Sequence, residues 1–202
     1  MAARLGDMTE HLLGLGIAGK TTRYAGRSLS SSFRERSCMN PIRPAPALSA
    51  EQILAYAEAI YEIEQDGHWI SAEQYTRQQS DTLPQSLISA CNPYSLRLPD
   101  ALNEARQRQL RDRIEAAGVR WHPARGRAAD FSWLEPGFLV AAALPLVDSW
   151  ARAFEQHAIW LPATATSPAM MRLYATDPGA ARSLHFPHVH LEWVGFGPTT
   201  PE

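Results

Sequence analysis

ISACNPYSLRLPDALNEARQRQL, residues 88–110, is the stretch that decides the fold. It begins as a short apolar run, stops at Asn92 and Pro93, and soon continues into a charged segment of helical composition. A proline disfavours the right-handed helical region for the residue before it, and an asparagine side chain can hydrogen-bond the backbone that follows. The stretch therefore predicts a buried strand that passes through a rigid polar turn into a helix.

The flanking sequence alternates between strand-like and helix-like composition. The pattern predicts four strands and two helices, with strands at 86–91, 119–124, 137–144 and 157–162 and helices at 99–118 and 145–154. Pro99 and Pro145 suit first helical turns, and Gly118 suits a helix end. This order predicts an α+β fold, a ferredoxin-like split β-α-β-β-α-β sandwich in which we take strands one and three as parallel neighbours. A mixed sheet of another order is the alternative, since element order does not fix pairing.

Additional elements are predicted on both sides of this unit. Residues 49–65, SAEQILAYAEAIYEIEQ, predict an N-terminal helix, because Ser49 followed by Gln52 is the pattern of a capping box. Residues 67–76 have the composition of a short strand pair or a loop. The segments 169–176 and 188–196 have strand composition and predict a C-terminal β-hairpin extension of the sheet, or a separate ribbon.

The domain organisation follows from these elements. We predict a disordered N-terminal segment, an α+β domain and a β-rich tail extension, over 1–48, 49–162 and 163–202. The first is rich in Ser, Arg and Gly without a clear period, and Met39 is an alternative start. GLGIAGKT at 14–21 has P-loop spacing, but no buried strand precedes it, so we interpret it as a chance match.

Composition excludes some classes of function. The chain has 202 residues, a formal charge of −2 and 45% apolar residues, which predicts a globular protein without general affinity for nucleic acid. Two cysteines outside any CxxC motif favour a cytosolic location, and no apolar run is long enough to predict a membrane span. Homo-oligomerisation stays open.

Four sequence features resemble a known family. They are ISACNPYS at 88–95, Asn103, WLEPGFLV at 133–140 and FEQHAIW at 154–160. From about Tyr56 to Trp160 the chain resembles the bacterial family DUF3293, a domain of unknown function, whose members read TAxNPxS, WxExxF and FxQxAI at these places. This chain has Ser89 where threonine is usual and Cys91 where an aromatic residue is common. The resemblance groups these residues together and implies no activity.

A candidate ligand site follows from the polar turn. Asn92 and Ser95 precede a helix N-terminus, whose free N–H groups suit a polar or anionic ligand. Asn103, Glu135 and Gln156 are further candidates, because each lies at or near the end of a predicted element. If strands one and three are parallel, however, Asn92 and Glu135 lie at opposite ends of the sheet. A capping or ion-pair role for Glu135, and a purely turn-forming role for the Asn92–Ser95 loop, therefore remain alternatives.

The tail contains a candidate metal site. His188, His190 and Glu192 alternate, so on a strand they share one face, and His185 could supply a fourth ligand to zinc or iron. A solvated strand face is the alternative. Cys91 could act as a nucleophile only if a histidine activated it, and otherwise it is a packed residue.

Three functions remain open from the sequence. The first is binding of a small polar or anionic ligand at the Asn92–Ser95 loop. The second is a non-catalytic protein-interaction module that pairs through a sheet edge or the tail. The third is a metal-dependent enzyme that uses the His-rich tail. The sequence decides neither whether the protein is an enzyme nor which cofactor it would use.

Overall fold

The computed structural model describes residues 46–78, 84–175 and 184–195. The helices in these ranges are α1 (Ala50–Ala57), α2 (Ala72–Arg77), α3 (Asp100–Ala116) and α4 (Leu144–Ala153). The strands are β1 (Ile60–Gln65), β2 (His68–Ser71), β3 (Gln85–Ile88), β4 (Trp121–Arg127), β5 (Leu134–Ala141), β6 (Ala158–Leu161), β7 (Ala169–Leu173) and β8 (Val189–Trp193). The GLGIAGKT segment, Met39 and most of the segment predicted to be disordered lie outside the described residues. None of the described helices is long and apolar enough to cross a membrane.

The described strands form one mixed sheet in the order β2-β1-β4-β5-β3-β6-β7-β8. The fold is therefore α+β. The strand order differs from the predicted four-stranded ferredoxin-like sandwich, because β1 and β2 extend the sheet on one side and β7 and β8 extend it on the other. Residues 67–76, which the sequence did not place, form most of β2 and α2.

The predicted strands one and three, observed as β3 and β5, are antiparallel, so the parallel prediction was wrong. Gln85 pairs with Ala141 and Ile88 pairs with Phe138. The reason is topological: the chain returns through α3 to β4, which runs in the same direction as β3, and β5 then runs back between these two strands. The end of β3 and the beginning of β5 therefore lie at the same edge of the sheet, which decides the geometry of the candidate site.

The predicted N-terminal helix is shorter than expected. Its capping box is confirmed, since the Ser49 hydroxyl accepts from the Gln52 N–H at 3.1 Å and the Gln52 side chain accepts from the Ser49 N–H at 3.0 Å. Helix α1 ends at Ala57, and the second half of the prediction forms β1 instead. In that half, Ile63 is buried and Glu64 is exposed. The segment is a strand because it pairs with both neighbouring strands, with Ile63 opposite Ile70 of β2 and Ala124 of β4.

The C-terminal β-hairpin prediction was also wrong. Strands β7 and β8 pair in parallel, with Ala169 opposite Val189 and Leu173 opposite Trp193. A tight hairpin joins only antiparallel strands, so β7 and β8 do not form one. The tail nevertheless extends the same sheet.

Two apolar clusters cover the two faces of the sheet. Neighbouring residues of β3 point to opposite faces, and Leu87 joins one cluster while Ile88 joins the other. Helices α1 and α2 contribute buried residues to the Leu87 cluster, whereas α3 and α4 contribute to the Ile88 cluster. The sheet is thus packed between two pairs of helices, and the candidate site opens on the α1 side.

Candidate functional site

The turn after β3 has an unusual backbone. Asn92, Tyr94 and Ser95 all have positive φ angles, of 45°, 49° and 60°. Asparagine tolerates this region, but such a conformation costs other residues with side chains about 1–3 kcal/mol each. The Tyr94 N–H donates at 2.7 Å to the carbonyl of Glu155, which has a φ of 52° itself. The surrounding structure therefore imposes on these residues a backbone that glycine would adopt more easily.

Asn103 holds the first residue of this turn. Its Oδ1 accepts from the Asn92 N–H at 2.9 Å, and its Nδ2 donates to Asn92 Oδ1 at 2.9 Å. Asn92 Oδ1 also accepts from the N–H of Leu98 at 3.1 Å. The Asn92 side chain thus closes a loop of seven residues, from Asn92 to Leu98, and Asn103 positions the turn from the first part of α3.

Gln156 and Arg106 hold the end of β3 against the end of α4. Gln156 Nε2 donates to the carbonyls of Cys91 and Phe154 at 2.9 and 3.0 Å. Arg106 donates from Nε to the carbonyl of Ala90 at 2.7 Å and from Nη2 to that of Phe154 at 2.6 Å. Sequence reasoning missed Arg106, because an arginine within a charged helical run resembles its solvent-facing neighbours.

A cavity of about 460 Å³ opens beside this turn. The residues predicted to bind a ligand all line it, namely Asn92, Ser95, Asn103, Glu135 and Gln156. They lie together because β3 and β5 are antiparallel, which brings the beginning of β5 to the end of β3. The separation expected from parallel strands is therefore absent.

One row of residues across the sheet forms the cavity wall. Tyr61 of β1 pairs with Gly126 of β4, and Gly126 pairs with Glu135 of β5. A Cβ atom on Gly126 would lie 3.3 Å from the Tyr61 ring and 3.6 Å from the ring of Trp133. Glycine at this position therefore makes room for two aromatic rings next to the Glu135 strand. Tyr61 also stacks on Trp160, with ring centroids 4.6 Å apart.

Glu135 is the acidic group with the most altered ionisation in this cavity. Burial raises the pKa of its carboxyl group from 4.5 to about 7. Hydrogen bonds from the Ser89 and Asn92 side chains lower that pKa but do not cancel the effect of burial. A carboxyl group in this state exchanges a proton near neutral pH, and its charged form favours a ligand that donates hydrogen bonds or carries positive charge.

A chain of three polar groups faces the same cavity. The Tyr56 hydroxyl hydrogen-bonds the Ser95 hydroxyl, and Ser95 Oγ lies 2.9 Å from His157 Nδ1. Burial lowers the pKa of His157 to about 4, although the Pro46 carbonyl partly opposes this effect. Burial also raises the pKa of Tyr56 to about 12. These groups are therefore neutral at pH 7 and can exchange hydrogen bonds with a ligand without adding charge.

The environment of Cys91 does not favour a nucleophile. The side chain is 2% exposed, and burial raises the pKa of its thiol to about 11. The two histidines available to activate it have other partners: His122 Nε2 lies 2.7 Å from the Tyr75 hydroxyl, and His157 contacts Ser95. Cys91 is therefore a packed residue, and its sulfur accepts a hydrogen bond from Gln107 Nε2 at 3.4 Å.

The predicted metal ligands in the tail are engaged with other protein groups. His188 Nε2 hydrogen-bonds the carbonyl of Ala57 at 2.9 Å, and Glu192 forms an ion pair with Arg172. His190 is exposed. Within the described ranges, no three His, Cys, Asp or Glu side chains are placed to share a metal ion. The described residues thus give no support to a metal centre in the tail.

The polar turn, α3, β4, β5 and α4 belong to the part of the chain that resembles other proteins. Residues 88–159 match a family model. Its description is "Protein of unknown function (DUF3293)". No curated protein and no solved structure matches the chain. The matched segment contains every predicted ligand residue from Asn92 to Gln156, whereas Tyr56 and Tyr61 precede it. Because the family description assigns no activity, function has to be argued from the cavity.

Proposed function

We propose that the protein binds a small polar molecule in the cavity beside the Asn92–Ser95 turn, and that the Glu135 carboxyl group is its main anchor. The observation that carries this proposal is a titratable carboxyl group shielded in the wall of a cavity of about 460 Å³. Cavities of about 300–1,000 Å³ are typical of small-molecule sites. A perturbed acid in such a cavity is a reasonable mark of function.

The hydrogen bonds suggest a division of roles among the predicted ligand residues. Asn103 and Gln156 donate their amide protons to the turn and to nearby carbonyls, so we assign them to positioning. Asn92 hydrogen-bonds the Glu135 carboxyl group and so orients the anchor. Glu135 and Ser95 then remain as the groups that would contact the ligand directly.

An anionic ligand receives less support than a neutral or cationic one. Asp100 already places a carboxylate in the first turn of α3, where an anion would have to bind. Arg97 is the basic residue among the described residues of the cavity wall, and it is exposed. A second negative charge next to Glu135 would be repelled once that group ionises.

A ligand-observed NMR screen of small polar molecules tests the proposal, with two variants of α1 as a matched pair. Ala55 lines the cavity and is exposed, so Ala55→Trp should fill the cavity without disturbing the core. Leu54 is exposed on the same helix outside the cavity wall, so Leu54→Trp is the control. We expect binding that survives Leu54→Trp and disappears in Ala55→Trp. Absence of any binding, or binding that survives Ala55→Trp, would count against the site.

A protein-interaction module is the second candidate. Among the described strands, β8 pairs only with β7, so its other edge is available to another strand. A depression beside it contains the apolar side chains of Leu184, Phe186 and Trp193. Light scattering during size-exclusion chromatography tests this candidate, because self-association through that edge would give a dimer mass that His190→Pro abolishes. A monomer mass at high protein concentration would speak against self-association.

A further inference from the structure

We propose, on the basis of the binding function above, that the ligand is a small organic cation. Its protonated or quaternary amine would lie between the Glu135 carboxylate and the aromatic rings next to it. The proposal names the chemical class of the ligand and thus goes beyond a merely polar molecule.

The charges around the cavity carry the first part of the argument. Among its described lining residues, Glu135 and Asp100 are acidic and Arg97 is basic. Arg97 and Asp100 are both exposed at the rim, so their charges are solvated, whereas the carboxyl group of Glu135 is shielded. An ionised carboxylate without a buried counter-charge is costly, and a bound cation would supply that charge.

The aromatic residues carry the second part. The cavity wall contains five of them, Tyr56, Tyr61, Phe131, Trp133 and Trp160. The rings of Tyr61 and Trp133 lie over Gly126, one strand away from Glu135. Adjacent strands are about 4.8 Å apart, and a cation is attracted by an aromatic face within about 6 Å. One ammonium group can therefore lie within reach of the carboxylate and of at least one ring.

The ionisation of Glu135 gives the proposal a pH signature. The titratable groups around it are Tyr56, Tyr61, Cys91, Arg97, Asp100 and His157. Burial raises the pKa values of Tyr56 and Cys91 to about 12 and about 11, and it lowers that of His157 to about 4. Tyr56, Cys91 and His157 therefore keep the same charge between pH 6 and pH 8. A proton on Glu135 competes with a cation. We therefore expect affinity for a quaternary amine to fall about tenfold from pH 8 to pH 6.

Three probes that share one phenyl group test the inference: benzyltrimethylammonium, benzyl alcohol and benzoate. Isothermal titration at pH 8 should give the cation at least tenfold tighter binding than the alcohol, with benzoate weakest. Glu135→Gln should remove the preference for the cation over the alcohol and the pH dependence of cation binding. Trp133→Leu should weaken binding of the cation severalfold. Trp69 lies outside the cavity wall, so Trp69→Leu should leave binding of the cation unchanged.

The outcomes separate this inference from the proposed function. Binding of benzyl alcohol or benzoate as tight as that of the cation would overturn the inference and leave a small-molecule site in place. A cation preference that persists unchanged in Glu135→Gln would overturn it as well. If none of the three probes binds to the unmodified protein, the inference fails, whereas the proposed function fails only if the ligand-observed screen finds no molecule whose binding Ala55→Trp abolishes.

Discussion

Replacing Glu135 by glutamine is expected to change how the stability of the unliganded protein depends on pH. The folded protein raises the pKa of this carboxyl group from 4.5 to about 7, so the folded state binds its proton more tightly than the unfolded state. The contribution of Glu135 to the free energy of unfolding should therefore fall as the pH rises from about 4.5 to 7, and it should stay constant above pH 7. The shift corresponds to about 3 kcal/mol. Glutamine cannot ionise and so removes this loss.

Urea denaturation of both proteins at several values between pH 5 and pH 8.5 measures the effect. The free energy of unfolding of Glu135→Gln, relative to the wild type, should rise with pH by about 2–3 kcal/mol over this range. A lost or misdirected hydrogen bond to Ser89 or Asn92 would lower the stability of the variant by about 1 kcal/mol at every pH, so the slope rather than the offset is diagnostic.

His157 acts in the opposite direction and must be separated from this effect. Burial lowers its folded pKa to about 4 from 6.5, so His157 reduces stability as the pH falls below 6.5. That contribution is present in both proteins and cancels in their difference. Glu64→Gln, at an exposed position on β1, is the matched control and should show no such slope. A flat difference for Glu135→Gln would refute the argument that burial controls this carboxyl group.

Three further substitutions test the structure around the site. Arg106→Gln removes a charged donor from two main-chain carbonyls and should cost about 2–4 kcal/mol in urea denaturation, whereas the exposed Arg108→Gln should cost less than about 0.5 kcal/mol. Gly137→Ala should cost about 1–3 kcal/mol by the same measurement, because its Cβ would lie 2.7 Å from the carbonyl oxygen of Ile88; a neutral result would mean that β3 and β5 can separate. Hydrogen bonds from Arg127 and Arg125 lower the pKa of Glu62, so the stability this carboxylate contributes is lost as the pH falls through its folded pKa. The difference in thermal midpoint between Glu62→Gln and the wild type should therefore shrink below pH 4.5, and a constant difference would contradict this account.

Local sequence signals predicted the central elements well. Pro99, Pro145 and Gly118 mark ends of α3 and α4 in the structure as they do in the sequence. The signal failed at residues 49–65, where Ile53, Ala57 and Ile60 have helical spacing although the segment changes to strand after α1. It also failed for strand direction, which depends on the connections between strands and not on the residues within one strand.

In the candidate site too, the sequence identified residues with a local signal and missed those that depend on contacts between distant parts of the chain. Asn92 and Ser95 stand out because they lie on either side of a proline shortly after a predicted strand. Tyr56 and His157 do not, since their partner Ser95 is 39 and 62 residues away in the sequence. No pattern within a short window identifies such contacts. The sequence also did not reveal the role of every residue that it identified. Asn103 was predicted to contact a ligand, but its amide group hydrogen-bonds Asn92 and so holds the turn.

Two destabilising features meet in this cavity, and folding alone explains neither. The turn keeps Tyr94 and Ser95 at positive φ angles, and Glu135 has a carboxyl group whose ionisation opposes folding above pH 4.5. Glycine in the turn and glutamine at 135 would remove both costs. Glycine, however, would also remove the Ser95 hydroxyl that contacts His157, and glutamine would remove a group that can become charged. We therefore take strain and a shielded acid in one cavity as support for the proposed ligand, which would use the Ser95 and Glu135 side chains.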